Sequence, residues 1–296
     1  MTHNLEQMRI RDDGIGSLPY IAIKIEGRSA TQPNIVSTGT GFFYSLETEE
    51  STIPLIVTNK HVLNDHDTIT LHFAKMNEEG YRVLGTSEKI NIRTSDYKIF
   101  HHPDHDVDLA CIPIGPILES FRFKEEYLQF KHLNKSNLPP EWLKDNLSAA
   151  TEILMVGYPN GLMDVTNNLP ITRKGILATP YYADHNGQRN FVVDVAAFGG
   201  SSGSPVFAFF KGVLPTREGP TLGDTAIYLI GVLHSGPILS VGGEITCSPI
   251  PTSGSTSRTR LMMHLGYCLR AEIIEEMLPQ IVDHIKRYDF KYSIIE

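Results

Sequence analysis

A chain of 296 residues can bury roughly three quarters of its unfolded surface, so it needs no disulfide or metal staple to fold. Its 41% hydrophobic and 20% charged residues are the balance of a soluble globular protein and exclude a largely disordered one. Twenty-six basic side chains stand against 34 acidic ones, a formal net charge of -8 with no long basic run, which argues against nucleic acid as a partner.

No stretch approaches eighteen consecutive apolar residues, so no membrane partner is expected. The opening M-T-H-N-L-E-Q-M-R-I-R-D-D-G lacks the charged, apolar, small-residue layout of a secretory signal. Cys111, Cys247 and Cys268 form an odd set, unlike a disulfide framework. The expectation is a reduced, cytoplasmic protein.

In chain order, Tyr20 to Glu26 alternates apolar and polar residues as a half-buried strand does. Thr38 to Tyr44, T-G-T-G-F-F-Y, predicts a bend before an aromatic strand. The run P-L-I-V-T-N-K-H-V-L then predicts a strand ending near His61. Further strands are expected at Thr68 to Ala74, Tyr81 to Leu84 and Lys89 to Arg93, a spacing that suggests an all-β barrel or sandwich. From His101, H-H-P-D-H-D-V-D-L-A-C-I-P-I is a polar loop passing into a short apolar strand. Leu118 to Ser148 is charged and proline-containing and reads as a connection. Strands resume at Glu152 to Gly157 and Thr172 to Thr179, then turn at Asn186-Gly187. They continue at Val206 to Phe210, Ala226 to Leu233 and Gly266 to Arg270, with a permissive loop at Gly242 to Ser257. Ala271 to Arg287 places apolar residues at spacings of three and four, an amphipathic helix interrupted by Pro279.

Phe198 to Phe207, F-G-G-S-S-G-S-P-V-F, carries the chemistry. Glycines on either side of the Ser201-Ser202 pair suit a tight turn presenting one hydroxyl, with the Gly200 and Ser202 amides free to stabilise an oxyanion. Serine is a weak nucleophile and needs a base, itself oriented by a carboxylate. His61 at the end of a strand and an acid at the start of another supply both. Among Asp104, Asp106 and Asp108, the last is favoured because an apolar strand follows it directly. The clustered His101, His102 and His105 show no metal-ligand spacing, and neither a metal nor a cofactor is expected.

T-N-K-H-V, D-L-A and G-S-S-G-S-P, in the order His, Asp, Ser, resemble the three motifs of the chymotrypsin-like (trypsin-like) serine proteases. V-G-Y-P-N-G at Val156 to Gly161 is similar to a turn of the HtrA-type bacterial branch, and L-I-G-V-L-H-S-G at Leu229 to Gly236 to the strand beside the specificity pocket. Ser201 stands where the animal digestive branch has the aspartate that captures a newly cut N-terminus, which puts the resemblance on the non-zymogen side.

The resemblance implies two antiparallel six-stranded β-barrels with a C-terminal α-helix, as a single protease domain over 1–296. The first barrel would occupy 18–117, the connection 118–150, the second barrel 151–270 and the helix 271–287. It implies a serine endopeptidase acting on polypeptides, with Ser202 as nucleophile, His61 as base, Asp108 as its orienting acid, and Gly200 and Ser202 as the oxyanion hole. Ala196, at the count where trypsin-like members hold an aspartate, would form the pocket base, facing His234, Ser235 and Gly236. Cleavage after small or medium apolar residues is expected, with acidic residues as the runner-up and basic ones rejected. A silent peptide-binding scaffold and an esterase or acyl transferase are the alternatives; any regulatory protein partner is left open.

Overall fold

Most of the alternating runs form strands, and in the first half they join a single sheet. The computed structural model describes residues 7–9, 14–49, 51–245 and 255–288. The chain runs through β1 (Gln7–Arg9), β2 (Ala22–Ser29), β3 (Gln32–Glu47) and β4 (Thr52–Thr58), then a helical turn α1 (Lys60–Leu63). It continues with β5 (Thr68–Met76), β6 (Tyr81–Arg93), β7 (Phe100–His101), β8 (Ala110–Pro113), the helix α2 (Gly115–Arg122) and β9 (Tyr127–Gln129). The sheet order is β1-β6-β5-β2-β3-β4-β8-β7, with β9 also paired to β5.

This first sheet differs from the expected six-stranded barrel: it has nine strands and its path does not close. Short strands beyond the expected ones enlarge it, β1 pairing with β6 and β7 with β8. Residues 81–93 run as one strand instead of two, accommodated by a register shift between Ala74 and Met76 on the partner β5. The expected connection, meanwhile, returns a strand of its own to the sheet, Ala74 pairing with Gln129 and Met76 with Tyr127.

After α3 (Glu141–Lys144), the second half comprises β10 (Glu152–Gly157), β11 (Ile171–Leu177), β12 (Asn190–Asp194), β13 (Pro205–Leu214), β14 (Thr221–Ser235), β15 (Ile238–Ile245), β16 (Ser255–Met262) and β17 (Leu265–Arg270). Six of these close in the cyclic order β10-β11-β12-β17-β14-β13. β15 and β16 form a separate two-stranded ribbon, so Gly242 to Ile245 and Ser255 to Ser257 are strand where the Ser, Thr and Gly content predicts loop. The intervening part of that segment, with Cys247, lies outside the described residues.

Apolar side chains gather in three clusters. One fills the first sheet around Ile25, Leu71 and Phe73, and another fills the barrel around Phe191, Val193 and Ile230. The largest joins the two halves, bringing Phe42 and Tyr44 of β3 together with Tyr158 and Phe207 and with Ile273, Ile274, Met277 and Ile281 from the C-terminal segment. That segment is a 3-10 helix over Ala271–Met277 that becomes α4 (Leu278–Tyr288). The change falls at Pro279, whose missing N–H is tolerated only in the first turn of a helix. Polar contacts fix the segment to both halves: Tyr44 donates to Glu275 Oε1 at 2.6 Å, and Arg189 pairs with Glu276. Gln280 donates to the His101 carbonyl at 3.0 Å. Among the described residues no helix is long and apolar enough to cross a membrane.

Candidate active site

Burial of its neighbours turns His61 outward. Val62 and Leu63 of α1 are buried, leaving the His61 side chain 49% exposed on the wall of a cleft it shares with Asn160, Gly200 and Ser202. Asp108 reaches it from the approach to β8. Its Oδ2 lies 2.5 Å from His61 Nδ1, and its Oδ1 accepts the His61 backbone N–H at 3.1 Å. Buried Asn59 donates its side-chain N–H to the Asp108 carbonyl at 2.8 Å, and buried Leu109 anchors the following position. Asp104 instead accepts the Asp106 amide at 3.0 Å within the loop, so Asp108 is the acid the fold brings to His61.

Burial is the largest single influence on Asp108 and would raise its pKa. The bonds from the His61 ring and amide, with the charges of His61 and His234, outweigh it and hold the carboxyl below the usual carboxylate range. The carboxylate on Nδ1 selects the tautomer that leaves Nε2 as proton acceptor.

The serine loop between β12 and β13 has every carbonyl from Phe198 to Ser202 engaged by the protein. Ser201 N–H donates to Phe198 O at 3.0 Å, Asn160 N–H to Gly199 O at 2.5 Å, and Ser204 N–H to Ser201 O at 3.0 Å. The Thr40 hydroxyl donates to Gly200 O at 2.8 Å and the Thr40 amide to Ser202 O at 2.9 Å. By contrast, the Gly200 and Ser202 amides have no hydrogen-bond acceptor among the described residues. Two glycines are required here: Gly200 has φ +80 and a Cβ on it would lie 2.6 Å from Tyr158 O, while one on Gly203, φ +85, would lie 1.9 Å from Thr40 O. Among the described residues no hydrogen bond joins the Ser202 hydroxyl to His61.

Behind the loop lies a cation that the sequence does not announce. Arg173 of β11 donates from Nη1 to Ala196 O at 2.6 Å and to Ser201 Oγ at 2.9 Å. Its Nε and Nη2 are buried without a hydrogen-bond partner, and no carboxylate pairs with it among the described residues. Burial pushes its pKa down to about 10.

Ala196 is half-buried, with its carbonyl on Arg173, and the Asp194 side chain is exposed at the end of β12. His234 sits at a bulge, where the β14–β17 register shifts between Leu233 and Ser235, so simple strand alternation does not fix its direction. Its Nδ1 is 3.0 Å from Ser235 Oγ, and its Nε2 is buried without a partner. Burial chiefly, with His61 acting the same way and Asp108 opposing, holds its pKa below the ordinary imidazole value. His234 is therefore close enough to feel the His61–Asp108 pair, a relation beyond the pocket-wall position read from sequence. Ser235 is exposed, and a Cβ on Gly236 would lie 2.4 Å from Leu265 O.

A nine-stranded sheet and a six-stranded barrel meeting at a cleft lined by histidine and serine, with a C-terminal helix, define a chymotrypsin-like fold. The chain belongs to the trypsin-like peptidase domain family, whose model matches residues 39–214. No curated protein matches it in sequence.

Solved structures similar to it include the Rv3671c protease from M. tuberculosis in its active form, at 12% identity and TM-score 0.43, covering 92% of this chain and 85% of that one. The inactive form of Rv3671c protease is 14% identical with TM-score 0.42, covering 92% and 94% respectively. An inactive serine-to-alanine mutant of Rv3671c from M. tuberculosis H37Rv is 12% identical with TM-score 0.41, covering 92% and 93%.

Proposed function

We propose that the protein is a serine endopeptidase in which Ser202 attacks the scissile carbonyl, His61 takes and returns the proton, and Asp108 orients the imidazole. The observation that carries this reading is the two-point contact of Asp108 on His61, at the edge of the cleft that Ser202 also lines. In the reaction, His61 Nε2 accepts the Ser202 proton as the Oγ–carbon bond forms, and the same proton then goes to the leaving amine. The Gly200 and Ser202 amides receive the negative oxygen of the tetrahedral intermediate. A serine–histidine bond of this kind is commonly long before substrate binds and tightens in the complex. Polypeptides are the substrate class, in keeping with the peptidase family.

A fluorophosphonate probe should label the wild-type protein and fail to label Ser202→Ala, and a peptide library should be cut by the wild type alone. Absence of labelling together with retained peptide binding would replace the reading with a silent binding scaffold. Labelling without peptide cleavage would replace it with an esterase or acyl transferase.

A further inference from the structure

We infer that Thr40 is a positioning residue of the oxyanion hole, holding the serine loop of the second half from a strand of the first. The inference rests on the serine-peptidase reading of the cleft. Thr40 is fully buried on β3 and makes four polar contacts to three distant segments. Its amide donates to Ser202 O at 2.9 Å, and its hydroxyl donates to Gly200 O at 2.8 Å. The same hydroxyl accepts the Tyr158 amide at 3.0 Å, and its carbonyl accepts the Thr58 hydroxyl at 2.7 Å.

The geometry of the peptide planes turns these contacts into a function. In a trans peptide the C=O and the following N–H point in opposite directions, so fixing one fixes the other. The amide of Gly200 shares a plane with the Gly199 carbonyl, which Asn160 N–H holds, and the amide of Ser202 shares one with the Ser201 carbonyl, which Ser204 N–H holds. Thr40 grips the two alternate planes, those of the Gly200 and Ser202 carbonyls.

Gly200 is the joint between a plane held by Asn160 and a plane held by Thr40, at a φ of +80 that glycine readily leaves. Without the hydroxyl, the Gly200 carbonyl loses its buried donor and the Tyr158 amide its acceptor. Tyr158 directly precedes the Pro159–Gly161 turn that carries Asn160, so one missing oxygen loosens both holds on Gly200. The T-G-T-G stretch thus does more than bend a strand. Transition-state binding should suffer more than substrate binding, because the hole faces charge that develops only during reaction.

The test compares Thr40→Val, which keeps shape and loses the hydroxyl, with Thr40→Ser, which keeps the hydroxyl, using a fluorogenic peptide chosen from the library digest. Thr40→Val should lose on the order of tenfold to a hundredfold in kcat with KM within about threefold, below the hundredfold to thousandfold cost of deleting a hole donor outright. The pH profile should keep its shape, and the uncleaved peptide should bind Ser202→Ala and the Thr40→Val/Ser202→Ala double variant alike. Thr40→Ser should restore kcat to within about threefold of wild type.

A Thr40→Val variant with wild-type kcat, or with its whole defect in KM, overturns the inference. If Thr40→Val does not fold, Thr40→Ser alone decides: a folded Ser variant slowed more than about tenfold contradicts a role for the hydroxyl, and near-wild-type turnover supports it. A wild-type protein that neither reacts with the fluorophosphonate nor turns over peptide sinks the peptidase reading itself, whereas normal turnover in Thr40→Val sinks only the role of Thr40.

Discussion

Asp108 holds His61 at two points, the ring Nδ1 through Oδ2 at 2.5 Å and the backbone N–H through Oδ1 at 3.1 Å. One carboxylate thereby fixes the direction of the imidazole and the main chain from which it hangs. The carboxylate is itself tethered, since Asn59 binds its carbonyl and Leu109 is buried beside it. His61 thereby lines, from the first half, the cleft that Gly200 and Ser202 line from the second.

The pair has a pH signature in stability. The Asp108 pKa is lowered in the folded protein, so its contribution is fully present above the unfolded value of about 3.9 and is lost as pH falls through the folded value. The denaturant midpoint of wild type should exceed that of Asp108→Asn above the unfolded carboxyl value, and the gap should shrink as pH falls from there through the lowered folded value. A gap that widens on acidification would reverse the sign assigned to the shift.

Arg173 and Ser201 should be coupled. Arg173 is a buried cation whose polar contacts are neutral ones, the Ala196 carbonyl and the Ser201 hydroxyl. Ser201→Asp would place a carboxylate against it and should fold with undiminished thermal stability. The same change in an Arg173→Met background leaves that carboxylate buried and alone, and should cost about 3–5 kcal/mol. A double-mutant cycle measured by denaturation checks this; additive effects would mean that the guanidinium does not sense residue 201.

Cleavage preference should exclude basic residues before the cut bond. Ala196 offers no carboxylate, Asp194 is exposed on β12, and the uncompensated Arg173 charge lies directly behind the Ala196 carbonyl. Small or medium apolar residues are expected before the cut, with acidic residues second. Profiling cleavage sites in a denatured proteome decides it. Dominant cutting after Arg or Lys contradicts the pocket assignment, and acidic cutting abolished by His234→Ala would promote the second preference.

What sequence could reveal follows from how local each signal is. His61 and Asp108 lie beside buried apolar anchors, Val62 and Leu63 for one and Leu109 for the other, so their positions can be read from a few neighbours. Arg173 cannot be read this way. In I-T-R-K-G-I-L it looks like its neighbour Lys174, yet Lys174 meets Glu152 at the surface at 2.6 Å while Arg173 turns beneath the serine loop. Strand alternation sets the two on opposite faces, and closure of the barrel decides which face lies beneath the loop.

Thr40 is hidden for a similar reason, because its hydroxyl partners lie at Tyr158 and Gly200, far along the chain. The strand count of the first sheet depends on long-range pairing of β9 with β5 and of β1 with β6, which no local pattern encodes. The His234 bulge likewise comes from pairing with β17 and defeats a strict two-residue alternation.

The most direct measurement is kcat on one peptide substrate for Ser202→Ala, His61→Ala and the double variant, with folding of each checked by circular dichroism. If the two residues act as one unit, each single change should cost on the order of a millionfold and the double change little more. Residual turnover within about tenfold of wild type in either single variant, or losses that multiply in the double variant, would contradict the assignment of Ser202 and His61 as nucleophile and base.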